Sequence, residues 1–394
     1  MKILFLTTAD YSFWSHRLTL ARAAQNEGAD VLIMAPPGEY SSRLEKAGFR
    51  VLPWSISRSS LNPLREVYSF LQIVRAYRLE QPDLVHHIAL KPIIYGGLAA
   101  RILGRIPAMH TVTGLGHIFV SSSRPMLVLR RLLLSVLAWI FSPPNCKVVV
   151  QNNDDRDFIV REKIALEEKL IVVAGFGVDV ETFVPRPEPS DIPVVMLPSR
   201  MLWEKGVREF VEAAKQLREQ GALVRMVLVG APDPNNPGCI PEEQLRVWAD
   251  AGSLEWWGHQ DNNNMPSVLC QSHVVCLPSY REGLPKVLLE AAACGRAIVT
   301  TNAPGCSSVV RHGENGLLVP IKNSKALASA IVSVLESRER RTQMGVAGRA
   351  RAVSEFSDKR IARQTLAVYQ ELLNGKWHSG PVHSKRKAQV LTQV

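Results

Sequence analysis

Short apolar runs alternate with longer helical stretches along this chain, and midway the alternation begins again. Runs at 2–7, 29–35, 83–88, 107–113 and 146–152 are separated by helix-like segments around 16–27 and 93–104. The runs are continuously apolar, as in strands covered on both faces, so they predict a parallel sheet with helices on each side. A Pro-rich connector, 186–193, leads into a second series: strands at 194–197, 224–230, 254–258, 273–279, 297–301 and 316–320, with helices at 206–220 and near 241–252. The expectation is an α/β chain of two Rossmann-like domains facing each other across a cleft. One domain spans 1–178 and the other 179–356. The 394 residues exceed what a single core usually serves.

Net charge is +11, and the last 19 residues carry four basic groups and no acid. That balance suits an anionic partner without choosing one. No nucleic-acid-binding module or interleaved basic-aromatic patch is found. The six cysteines show no metal-ligand spacing and read as free thiols. No run of about 18 uncharged apolar residues spans a membrane. The segment 121–141, with Arg124, Arg130 and Arg131 among leucines, reads equally as a membrane-docking helix or as a buried helix of the first domain. The end, 377–394, reads as a disordered basic tail.

The chemistry concentrates in two loops of the second series. In "SYREGLPKVLLEAAACGRAIVTT" (279–301), Glu282 follows a strand, Gly283 allows unusual backbone angles or close ligand approach, and Pro285 suits a first helical position. The free amides near Lys286 and Val287 would face whatever lies across the helix entry, a natural anion site. Glu290 stands about 7 Å along the axis at ~1.5 Å per residue, near the offset from a phosphate to a ribose diol. In "SRMLWEKG" (199–206), Arg200 and Lys205 occupy another strand-to-helix loop. Two cations there suit a diphosphate, though linker charge alone also produces such a pattern.

Arg200-x4-Lys205 followed by Glu282-x7-Glu290 resembles the family 4 retaining glycosyltransferases of the GT-B fold. The segments 175–185 and 313–320 resemble that family too, as does the closing helix within 355–373 that returns to the first domain. The resemblance implies a nucleotide-sugar donor held by the C-terminal domain. Arg200 and Lys205 would hold the diphosphate, Glu290 the ribose, and Glu282 with the backbone of Gly283 and Leu284 the sugar, beside Pro285 and Val287. It also implies retention of configuration, with no metal and no cofactor.

The first half departs from the common pattern. "TTADYSFWSHRL" (7–18) replaces a glycine-rich loop, and "HTVTGLGH" (110–117) places Thr113 where many members have a histidine. Neither His110 nor His117 is assigned that role. "SHRL", "KPIIYGGLAAR" and "TVTGLG" resemble a subgroup acting on polyprenyl-diphosphate-linked sugars, with N-acetylgalactosaminyltransferases as the comparison. His16, Lys91 and Thr113 become acceptor-side candidates. The implied setting is cytoplasmic, peripheral to the inner face of the cell membrane, on anionic lipid.

"DDRD" (154–157) imitates a metal-diphosphate motif but reads better as a helix start. Trp256 and Trp257 border either a base or the core. Two other functions stay open: a nucleotide-sugar 2-epimerase of the same architecture, and a non-catalytic nucleotide-sugar sensor.

Overall fold

The computed structural model describes residues 1–56, 62–104, 106–114, 124–234, 236–374 and 377, without the side chains of 124–129. In the first domain the elements run β1 (Lys2–Leu6), α1 (Asp10–Asn26), β2 (Asp30–Ala35), α2 (Ser41–Lys46), β3 (Arg50–Pro53), α3 (Pro63–Glu80), β4 (Leu84–Ile88), α4 (Leu90–Ile102), β5 (Ala108–Val112), α5 (Arg124–Phe141), β6 (Cys146–Val150), α6 (Asn153–Arg161) and β7 (Leu170–Val172). The second contains β8 (Val194–Pro198), α7 (Val207–Glu219), β9 (Arg225–Val229), α8 (Glu242–Asp250), β10 (Glu255–Trp256), α9 (Met265–Cys270), β11 (Val274–Leu277), α10 (Lys286–Ala293), β12 (Ala297–Thr301), α11 (Cys306–Val309), β13 (Gly316–Val319), α12 (Ser324–Leu335) and α13 (Arg338–Ser354). A last helix, α14 (Asp358–Leu372), returns to pack on α1.

All strand pairs are parallel, in the orders β3-β2-β1-β4-β5-β6-β7 and β10-β9-β8-β11-β12-β13. β4, β8, β11 and β12 are buried along their whole length, which explains the unbroken apolar sequences of β8 and β11; β4 and β12 carry buried histidines and threonines among their apolar residues. The strands not anticipated, β3 and β7, are the two edges of the first sheet. Each is short and partly exposed: β3 is bounded by Arg50 and Pro53, and β7 is an apolar strand of three residues.

Three histidines stand inside the first sheet and its cover. His86 contacts the Tyr369 hydroxyl on α14 and Thr111, while His87 contacts Tyr77 and His110. Burial holds His110 down at about 3 and lowers the other two. His110 is therefore a neutral core residue. His117 lies outside the described residues.

Two expectations about peripheral segments change. Trp377 is docked, with its indole N–H donating to the Glu27 carbonyl and its ring stacked on Tyr369, so any free tail starts later. Residues 378–394 lie outside the described residues. In α5, Leu137, Ile140 and Phe141 are buried in the first domain and Arg130 pairs with Glu162 at 3.7 Å, while Arg131 and Leu132 stay exposed. The later half of α5 is thus a packed helix. Arg124's side chain is outside the described part.

Candidate active site

Where strand order reverses in an open parallel sheet, the loops leaving two adjacent strands part and leave a crevice. In the second sheet that point lies between β8 and β11. The loop after β8 carries Arg200 and Lys205, and the loop after β11 carries Glu282. Gly206 has φ +72°, and a Cβ there would stand 2.1 Å from the Pro278 carbonyl oxygen. Only glycine lets the first loop press so closely on the exit of β11. The Tyr280 amide donates to the Glu204 carbonyl, tying the loops together.

The result is a direct contact: Lys205 Nζ donates to Glu282 Oε1 at 2.5 Å, with side-chain exposures of 15% and 11%. The Ser279 hydroxyl donates to the same oxygen at 2.7 Å. A largely dry cation and carboxylate therefore share the crevice. Arg200 is more open, 48% exposed, and turns to Asp233 beyond β9 at 2.6 Å.

The helix behind the crevice begins one residue later than expected, with Pro285 as its N-cap. The Leu288 amide is the first to bond back to the Pro285 carbonyl, so the Lys286 and Val287 amides precede the helical ladder. Glu290 is 6% exposed and accepts from Lys286 at 3.2 Å, one turn earlier. Burial raises its pKa above the usual glutamate value, and Lys286 opposes the shift. Lys286 was not anticipated, although its i,i+4 spacing from Glu290 is a readable signal. Leu284 is 5% exposed, and its side chain packs against Gly175 in the segment after β7. Val287 is partly buried in the same cluster.

The first domain supplies the facing wall. His16 meets the linker ring of Phe176 edge-on at 4.3 Å. Burial, then the positive charge of Lys286 across the cleft, holds its imidazole down at about 3. Its Nδ1 lies 2.9 Å from the Ser12 carbonyl, so Nδ1 carries the proton and Nε2 keeps its lone pair. Thr113 stands directly against Gly283, where a Cβ would come within 2.5 Å of the Thr113 carbonyl oxygen. Gly283's small size therefore admits the first domain, and its φ is not positive.

Lys91 lies apart from this group, on α4 after β4. With Tyr95 it binds Glu66, which lines a cavity of about 400 Å³ at the carboxyl ends of β2 and β3. Ala89, between β4 and α4, has φ +77°, a strained value for a residue with a Cβ. Trp256 donates to the Gly230 carbonyl and packs on the second-domain core, while Trp257 donates to Glu255. The "DDRD" acids open α6, and Asp155 turns inward to Arg281. Among the described residues, no three His, Cys, Asp or Glu side chains gather as metal ligands.

Residues 180–351 match the family of Glycosyl transferases group 1, and residues 2–142 match Glycosyl transferase 4-like. The chain is 28% identical over 387 residues to the N,N'-diacetylbacillosaminyl-diphospho-undecaprenol alpha-1,3-N-acetylgalactosaminyltransferase of Campylobacter jejuni, covering 95% of this chain and 99% of that protein. It is 25% identical to the UDP-Gal:alpha-D-GlcNAc-diphosphoundecaprenol alpha-1,3-galactosyltransferase of Escherichia coli, covering 71% and 73%. Among solved structures, HepE of Anabaena in complex with UDP and glucose superposes with a TM-score of 0.75 at 21% identity, covering 94% and 99%. The fold expected from the sequence, GT-B, is the fold this chain has.

Proposed function

The chain belongs to the glycosyltransferases, with a glycosyl transferase 4-like first domain and a group 1 second domain, and on that premise we propose that it transfers a sugar from a UDP-sugar to a polyprenyl-diphosphate-linked saccharide, retaining the anomeric configuration. The sugar is an N-acetylhexosamine such as N-acetylgalactosamine, by likeness to the relative matched over nearly its whole length. The observation that carries the reading is the paired Lys205 and Glu282 at the switch point, beside the helix entry that leads to the buried Glu290.

In this reading the diphosphate lies over the α10 amides and Lys205, with Arg200 swinging in from Asp233. These groups stabilise the charge that develops as the nucleotide leaves, the term that usually dominates such catalysis. Glu282, held by Lys205 and Ser279, and the Gly283–Leu284 backbone take the sugar hydroxyls. Glu290 takes the ribose diol. The acceptor approaches from the first domain past His16 and Thr113, and its remaining sugars run toward the Glu66 cavity that Lys91 braces.

Incubating UDP-sugars with lipid-diphosphate saccharides, read by mass spectrometry, tests this. One sugar added to the acceptor, with UDP released, is expected. Conversion of the donor sugar without acceptor would show an epimerase instead. UDP-sugar binding with neither change would leave the sensor reading.

We place the protein at the cytoplasmic face of an anionic membrane. On α3, Leu64, Val67, Tyr68 and Leu71 are all more than half exposed and follow i, i+3, i+4, i+7 spacing, flanked by exposed Arg65, Arg75 and Arg78. That stripe beside the cavity fits a lipid surface better than water. Replacing Leu64, Val67 and Leu71 by Ser is expected to reduce binding to phosphatidylglycerol vesicles at least tenfold while sparing transfer to a short-chain acceptor. Undiminished vesicle binding would rule α3 out.

A further inference from the structure

Two residues of the second domain, Arg281 and Gly283 on either side of Glu282, are gripped by the loop that leaves β6 in the first and by the start of α6. Arg281 pairs with Asp155, a fully buried carboxylate. The Asn152 side-chain amide donates to the Gly283 carbonyl at 2.6 Å and also bonds Asp155. Gln151 presses on Gly283 so closely that a Cβ there would stand 2.4 Å from its side-chain oxygen. From the other side, Pro304 accepts from the Glu282 amide, and Gly305 lies under the Glu282 and Gly283 carbonyls.

From this we infer that Asn152, Asp155 and Arg281 form an interdomain latch that positions the Glu282 loop for transfer only when the domains are together. The inference rests on the proposed reaction. The physical link is the peptide plane. A trans peptide is flat, so a Gly283 carbonyl held toward Asn152 aims the Leu284 N–H the opposite way. That N–H has no partner among the described residues and is free for a donor-sugar oxygen. Glu282 sits between the two gripped residues, so its backbone cannot swing independently. Lys205, Glu290 and the α10 amides belong wholly to the second domain and bind donor without the latch. The latch residues therefore act through the Glu282–Leu284 backbone as positioning residues.

Asn152 also caps α6: its Oδ1 accepts from the Asp155 amide at 2.7 Å. A purely structural role is separated from a latch by Asn152→Ser, which keeps a good N-cap but loses the donor to Gly283. Arg281→Gln removes the cation but keeps an amide that can still donate to Asp155, and adding Asp155→Asn removes the buried charge that the first change leaves without its counter-ion.

The expected result is that each of Asn152→Ser and Arg281→Gln lowers kcat at least tenfold. UDP affinity should stay within twofold of wild type and the melting temperature within a few degrees. Arg281→Gln combined with Asp155→Asn should lose no more than either alone, because the pair acts as one unit. Small-angle scattering should show a larger radius of gyration for Arg281→Gln. Unchanged kcat in Asn152→Ser and Arg281→Gln, UDP affinity falling in step with kcat, or multiplying losses in the Arg281–Asp155 pair would each overturn the latch. If the wild type transfers no sugar, the functional proposal fails, and scattering decides the latch alone: an unchanged radius refutes it.

Discussion

Lys205→Ala is expected to lower kcat by about 10²–10³-fold, the usual cost of deleting a preorganised group that stabilises developing negative charge. Lys205 has two tasks. It would meet the departing diphosphate, and it neutralises Glu282 in a site where both side chains are largely dry. Without it, Glu282 keeps only the Ser279 hydroxyl on that oxygen. The remaining carboxylate then repels the leaving group that the lysine attracted. Arg200→Ala should cost less, about tenfold, because an open cation already tied to Asp233 is better screened by water. Single-turnover transfer and thermal unfolding measure both variants together. Full turnover in Lys205→Ala at an unchanged melting temperature would remove the donor-site assignment. Lys205→Arg should recover little, since a planar fork does not fit the pocket of a compact ammonium that contacts a single oxygen.

The two loops were legible in the sequence because each follows an apolar, doubly buried strand and opens a helix. That context alone placed Lys205 and Glu282 at carboxyl ends. Their contact with each other was not legible: it depends on β8 and β11 being neighbours, a matter of strand order across 77 residues. Gly283 shows a different failure. A glycine before a helix suggests backbone freedom or room for a ligand, yet here it makes room for Gln151 and Thr113, residues supplied by the other domain. The edge strands are short: β3 has two apolar residues between Arg50 and Pro53, and β7 has three residues, so length rather than polarity hides them. Lys91 was picked out by resemblance, and only the fold shows its partner, Glu66, and the cavity they border.

Glu290 yields the second large effect, on donor binding. An ionised carboxylate can accept both ribose hydroxyls, and each such charge-assisted bond contributes about 1.5–3 kcal/mol. Glu290→Gln keeps the shape and loses the charge, so UDP affinity should fall about 10–100-fold on the same scale. A 2′-deoxy donor should bind wild type more weakly but lose little further in the variant, since the two changes remove one contact. The pH dependence is a separate check. Burial raises the Glu290 pKa, so lowering the pH protonates it before an ordinary glutamate, and only the ionised form accepts from both hydroxyls. Wild-type affinity for UDP should therefore fall more steeply toward acid than that of Glu290→Gln, which has no proton to gain there. Calorimetric titration of both proteins from neutral to mildly acidic pH compares the slopes, and titration of UDP's own phosphate cancels in the comparison. Parallel slopes together with fully additive losses would mean that Glu290 never touches the nucleotide. Its pairing with Lys286 would then serve only to brace the first turns of α10.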